Sequence, residues 1–158
     1  MSQFLVAIDG PAGSGKSSVS KQVARELGFG YLDTGAAYRA LAWAVQNLEG
    51  FELETLAAKD LVNEFDYQIS LNPDDYWVKV GEVDLTAAIR TSQVAESVSA
   101  VARIPEVRSY MKALTRDLVA KSSLPGVVVE GRDITTVVAP DAEIKILLTA
   151  SEEVRLKR

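Results

Sequence analysis

The residues with the clearest chemical meaning lie near the start of the chain, in Ile8-Asp9-Gly10-Pro11-Ala12-Gly13-Ser14-Gly15-Lys16-Ser17. They match the pattern G-x-x-x-x-G-K-[ST], with Gly10, Gly15, Lys16 and Ser17 in the fixed places. The chemistry of such a loop is phosphate binding. Gly10, Gly13 and Gly15 let the backbone curl with its N–H groups pointing inward. A helix beginning near Lys16 adds the positive end of its dipole. On this reading Gly10, Pro11, Ala12, Gly13, Ser14, Gly15, Lys16, Ser17 and Ser18 form the site for a nucleoside triphosphate. Lys16 reaches the β- and γ-phosphates, and the Ser17 hydroxyl holds Mg²⁺.

Two further clusters share that setting. Phe29 to Leu32 reads as a short strand that ends in Asp33-Thr34-Gly35, with Tyr38 and Arg39 just beyond. Val127-Val128-Val129 reads as a buried strand that ends in Glu130-Gly131-Arg132-Asp133. In an open α/β sheet, ligands bind at the carboxyl ends of the strands. Two carboxylates and a guanidinium at such an end, on the same sheet as a phosphate loop, favour a functional role over a surface ion cluster. Position alone leaves Arg39 open between a second phosphate contact and a solvated arginine.

The elements that must hold these groups are legible in outline. Phe4 to Ile8 is a continuous apolar run, as in a buried parallel strand. Ser17 to Leu27 reads as a helix with Val19, Val23 and Leu27 on its apolar side and Gly28 as the stop. A helix over 36–48 should bury Leu41, Ala42, Val45 and Leu48, and one over 53–63 should bury Leu53, Leu56, Ala57 and Leu61. The period then changes to two through residues 64–85, which predicts a small antiparallel sheet. A helix over 92–103 carries Val94, Val98 and Val101, with Ser99 beside that face. Pro105 opens the next helix, where Val107, Met111, Leu114 and Leu118 form the stripe and Arg108 flanks it. On periodicity alone Arg108 belongs to a solvated face. Glu143 to Leu148 is a further strand, and Ser151 caps a last helix with Glu152 and Glu153 in its first turn.

Composition narrows the chemistry. The 158 residues suffice for one domain with a sizeable core. With 47% hydrophobic and 25% charged residues the chain reads as globular, and no apolar run approaches the ~20 residues of a membrane span. No basic and apolar leader precedes the first strand. The absence of cysteine excludes disulfides and thiolate metal sites, and the absence of histidine excludes an imidazole base and an ordinary zinc site. Phosphoryl transfer needs none of these, because it works by positioning and charge neutralisation. A net charge of −5 argues against binding a polymeric nucleic acid.

Taken together, Ile8 to Ser17, Leu32-Asp33-Thr34-Gly35-Ala36-Ala37-Tyr38-Arg39, Ile89-Arg90-Thr91, Gly131-Arg132-Asp133 and Leu148-Thr149-Ala150-Ser151 resemble the bacterial cytidylate kinase family, in the family's order and over nearly the whole chain. The resemblance implies a P-loop NTPase fold, a three-layer α/β/α arrangement with a parallel sheet. Residues 1–158 would form a single nucleoside monophosphate kinase domain, incomplete at its C-terminal end, with 64–85 as an antiparallel insert in the monophosphate-binding region. It implies transfer of the ATP γ-phosphate to CMP or dCMP with Mg²⁺, in a cytoplasmic monomer whose partners are small nucleotides. Carried over by position, Arg39 and Arg132 are similar to the arginines that hold the CMP phosphate. Ser99, Arg108 and Asp133 match the residues that recognise the cytosine edge, and Thr34 matches a hydroxyl near the acceptor. Arg155 and Arg158 match arginines at the start of the lid over ATP. Lys16 and Arg132 would carry the catalytic load.

The resemblance has departures. Glu130 stands where the family pattern has Asp, and Thr135 where it has Gly. The family's lid, last strand and last helix would follow Arg158, so weak or absent turnover is expected of these residues alone. The competing readings are another small-molecule P-loop kinase, acting on AMP or shikimate, and a nucleotide-binding module without catalysis. Acceptor preference separates the first, and nucleotide binding without transfer marks the second.

Overall fold

The computed structural model describes residues 3–157. Its central element is a four-stranded sheet in the order β2-β6-β1-β7, built from β1 (Phe4–Asp9), β2 (Gly30–Asp33), β6 (Gly126–Gly131) and β7 (Ile144–Leu147). All three pairings are parallel. The apolar runs explain this. Every residue of β6 is buried, as are Leu5 to Asp9 of β1, so both strands are covered on both faces. The register then aligns the strand ends. Asp9 pairs with Gly131, and Asp33 pairs with Glu130. The edge strand β7 is exposed along its length, with Leu147 at 71%.

The chain divides into two compact units. The first comprises Met1–Thr34, Leu71–Asp75 and Thr115–Arg158, and holds the parallel sheet with helix α1 (Lys16–Leu27) and the short α6 (Glu152–Leu156). The second comprises Gly35–Ser70 and Tyr76–Leu114. It contains most of α2 (Thr34–Asn47), α3 (Leu61–Glu64), α4 (Ser92–Ala102) and the first part of α5 (Pro105–Ala120). The period-two stretch forms the three-stranded antiparallel sheet β3 (Tyr67–Ile69), β4 (Val78–Val80) and β5 (Val83–Asp84). Tyr67, Ile69, Val78 and Val80 are its buried members.

Several helix faces differ from the periodic reading. In α1 the fully buried residues are Ser20 and Ala24, while Val19 and Leu27 are 42% and 51% exposed. The side of α1 that packs in this unit carries small side chains, which permit a close approach. In α2 the buried set is Ala36, Ala37, Ala40, Leu41, Ala42 and Ala44 rather than Val45 and Leu48. In α5 the buried stripe advances by four, through Val107, Met111, Thr115 and Val119, leaving Leu114 and Leu118 half-buried. The single helix expected over 53–63 does not form. A 3₁₀ segment covers Leu53–Ala58, and α3 restarts at Leu61 because the Asp60 carboxylate accepts the Asn63 N–H, an N-cap. Leu56 and Leu61 are buried as expected, and Ala57 is exposed.

Alanine is therefore a packing requirement in α2. Ala40 is fully buried, and close-packed interiors leave little room for added methylenes. Ala40→Leu should destabilise the protein by about 1–3 kcal/mol through overpacking, read as a lowered urea midpoint; an unchanged midpoint would show that α2 can shift to accept the larger side chain.

Candidate functional site

The site is built where β1, β2 and β6 end, within the first unit. After β1 the chain enters the loop of residues 10–15. Gly13 and Gly15 take φ values of 76° and 85°, which only glycine adopts without strain. Gly10 has a different reason to be glycine, since a Cβ there would lie 2.5 Å from the Leu148 carbonyl oxygen. Gly15 is the N-cap of α1 and offers no side-chain cap, and the first turn of α1 has no acidic residue. The first N–H groups of this helix thus remain available to an anion. Pro11, Gly13, Ser14, Gly15, Lys16, Ser17 and Ser18 line a cavity of about 210 Å³. Ala12 is exposed on the same loop. A compact, positively polarised cradle of this size suits a phosphate chain.

Glu130 closes the cradle on the strand side. Its side chain is 1% exposed. The Ser17 and Tyr31 hydroxyls both donate to its Oε1, each at 2.8 Å. Its Oε2 is buried without a hydrogen-bond partner among the described residues. Burial, and then the charge of Asp33, push its carboxyl above the ordinary range, against the hydrogen bonds from Ser17 and Tyr31 and the charge of Lys16. A cation would offset this concentration of negative charge in a low-dielectric setting. Among the described residues no group of three or more acidic or metal-binding side chains is placed to hold a metal ion. One hydroxyl and one carboxylate, Ser17 and Glu130, fit a cation held chiefly by bound phosphates, which is how Mg²⁺ is commonly bound.

The turn after β6 is held from β1. Asp9 is buried, and its carboxylate accepts the Ile134 N–H at 2.7 Å, the Thr135 N–H at 3.0 Å and the Thr135 hydroxyl at 2.5 Å. Thr135, where the resemblance leads to an expectation of glycine, thus adds a bond to this clamp. Asp133 takes φ 58°, the one non-glycine residue with positive φ among those described. Its carbonyl receives Val137 and Val138 at the start of the π-helical turn Ile134–Val138. Such a conformation persists only where the surroundings impose it. Arg132 and Asp133 are both exposed at this strand end. Thr34 donates its hydroxyl to the Glu130 carbonyl at 2.9 Å, and a Cβ on Gly131 would lie 2.1 Å from that hydroxyl oxygen. This contact accounts for the glycine of Gly131-Arg132-Asp133.

The first unit thus brings together the loop of residues 10–18, Thr34, Arg132 and Asp133. Arg155 also belongs to it. A Cβ on Gly13 would lie 3.0 Å from the Arg155 carbonyl oxygen, so the backbone of α6 rests against the loop. Arg155 Nε is buried with no hydrogen-bond partner among the described residues, a donor that would suit an anion. Arg158 lies outside the described residues. In the second unit, Arg39 is half-buried on α2, while Ser99 and Arg108 are exposed on α4 and α5. Residue types missed Tyr31 and Asp9. Tyr31 lies in an apolar run and reads as core; its only signal was a hydroxyl two positions before a strand end. Asp9 immediately precedes the phosphate-loop pattern, which begins at Gly10 and does not constrain it.

The Asp9 clamp can be tested directly. Asp9→Asn keeps one acceptor oxygen and turns an amide N–H₂ toward the Ile134 or Thr135 donors. It should lower folding stability by about 1.5–3 kcal/mol, measured by urea denaturation; native stability would show that the turn after β6 holds itself.

Comparison with known proteins agrees with this geometry. The family model described as cytidylate kinase matches residues 6–158. A cytidylate kinase of Streptomyces griseus is 47% identical, covering 99% of this chain and 68% of its own. One of Mycobacterium leprae is 47% identical, covering 100% of this chain and 68% of its own. A bifunctional pantoate ligase/cytidylate kinase of Synechococcus sp. is 46% identical over 98% of this chain and 30% of its own. The chain thus spans about two thirds of the length of the first two relatives. With a parallel α/β sheet, a complete phosphate loop and a match over nearly all its residues, the chain belongs to the cytidylate kinase family.

Proposed function

We propose that this protein transfers the γ-phosphate of ATP to CMP or dCMP, yielding ADP and CDP or dCDP. The observation that carries the donor half is the cradle of residues 11–18 standing against Glu130 at the ends of β1 and β6. The backbone N–H groups at the start of α1 and the Lys16 ammonium bind the β- and γ-phosphates and neutralise charge as it moves to the leaving oxygen. Ser17 and Glu130 would help hold Mg²⁺ against the bound phosphates, and its positive charge would offset theirs during transfer. Arg155, with its unpartnered Nε beside the loop, serves the same nucleotide, and so does Arg158.

On the acceptor side, Arg39 and Arg132 hold the CMP phosphate. Guanidinium suits this task because it stays charged and binds phosphate through two parallel hydrogen bonds. Asp133 accepts from the 4-amino group of cytosine, where the carbonyl of uracil would meet a repelling carboxylate. Ser99 and Arg108 complete the reading of the base, and Thr34 lies near the acceptor. The acceptor is a phosphate oxygen, largely ionised near neutral pH. No strong general base is required, which agrees with a chain lacking histidine. The same reading makes the protein a cytoplasmic monomer acting on small nucleotides. It fits a net charge of −5, and none of the described helices is long and apolar enough to cross a membrane.

The decisive measurement is acceptor-dependent ADP release by this chain, alongside thermal unfolding with each acceptor. CMP or dCMP should raise the unfolding midpoint, since only ligands of the native state stabilise it, and whatever ADP release occurs should require CMP or dCMP. ADP release or stabilisation with AMP or shikimate instead would assign the protein to another acceptor. Lys16→Ala should reduce transfer by about 100-fold or more. Arg132→Met should weaken CMP binding about 10- to 100-fold, as expected for a lost charged hydrogen-bond pair. ATP affinity should survive the Arg132 change and fall with the Lys16 change.

A further inference from the structure

Tyr31 has no part in the phosphate contacts, yet its hydroxyl reaches the same carboxylate oxygen as Ser17. Pairing of β2 with β6 sets Tyr31 opposite Val128 and leaves its side chain 2% exposed. From there it donates to Glu130 Oε1 at 2.8 Å, and Ser17 donates to that same atom at 2.8 Å.

We infer that Tyr31 is a positioning residue for the divalent cation of the donor site, acting through Glu130 on Ser17. A serine hydroxyl has one proton and two lone pairs. With the proton committed to Glu130, the lone pairs are left for a cation. That commitment requires the carboxylate to present Oε1 to Ser17, and the Tyr31 bond pins it in this orientation, leaving Oε2 unpartnered. Without Tyr31 the carboxylate can rotate, and the Ser17 proton can swing toward the cation position. Partners that orient metal ligands in this way commonly change metal affinity 10- to 100-fold when lost. The inference rests on the reading of the loop as an ATP site.

The test uses the whole chain with Mn²⁺ as the probe. Tyr31→Phe keeps the ring, over which the Lys21 ammonium lies 5.4 Å from the centroid. ATP binding is measured by calorimetry with chelator present, and Mn²⁺ affinity of the ATP complex by electron paramagnetic resonance. Tyr31→Phe should leave metal-free ATP affinity unchanged and weaken Mn²⁺ binding about 10- to 100-fold. In a Ser17→Ala background the same change should cost no more than about twofold, because the hydroxyl it orients is gone. Native Mn²⁺ affinity in Tyr31→Phe, or a full additional loss in the Ser17→Ala background, overturns the inference and leaves the ATP site standing. Loss of metal-free ATP binding in Tyr31→Phe overturns it as well, since the effect would then be on the loop's structure. Failure of the unaltered chain to bind ATP removes both readings.

Discussion

A buried carboxylate at the end of β6 governs the candidate site. Glu130 is almost wholly removed from solvent, and burial of a charge is costly unless hydrogen bonds and opposite charge offset it. Two hydroxyls and the nearby Lys16 supply that offset, and each comes from an element that the carboxylate thereby fixes. Ser17 ties it to the first turn of α1, and Tyr31 to β2. The backbone of the same residue receives the Thr34 hydroxyl, which ties it to the start of α2. A change in this strand end therefore propagates to the phosphate loop and to the strand beside it.

Asp9 plays the complementary part from β1. Its carboxylate takes three hydrogen bonds from the turn that follows β6. The parallel register sets Asp9 opposite Gly131, which places that turn within reach. The strained backbone of Asp133 and the close contact between Gly131 and Thr34 belong to the same turn. The strand ends are thus joined twice, once by Glu130 reaching α1 and β2, and once by Asp9 reaching the turn after β6. The exposed side chains of Arg132 and Asp133 are carried on this rigid base rather than on a free loop.

Two positions at which the resemblance leads to an expectation of other residues, Asp at 130 and Gly at 135, lie at these two joints. The Glu130 carboxylate meets Ser17 and Tyr31. The Thr135 hydroxyl adds a bond to the Asp9 clamp. Neither contact could be read from residue type, because each depends on a partner more than 95 positions away.

Short-range features follow from residue order alone. The spacing of Gly10, Gly15, Lys16 and Ser17 specifies a phosphate cradle, because backbone curl and a helix start depend on neighbouring residues only. Continuous apolar runs specify β1 and β6, and period two specifies the antiparallel sheet at Tyr67–Asp84. The tertiary structure decided which faces are buried and which charges meet. Ser20 and Ala24 of α1 are buried instead of Val19 and Leu27, and in α2 the alanines are buried together with Leu41 while Val45 and Leu48 are not, because small side chains permit the closer approach. The helix over 53–63 broke because the Asp60 cap outcompeted a weak apolar period. Tyr31 looked like core, and became part of the site only when β2 was laid beside β6 and its hydroxyl met Glu130. Hydrogen bonds between distant strands follow from register, and register is settled by the whole sheet rather than by any one segment.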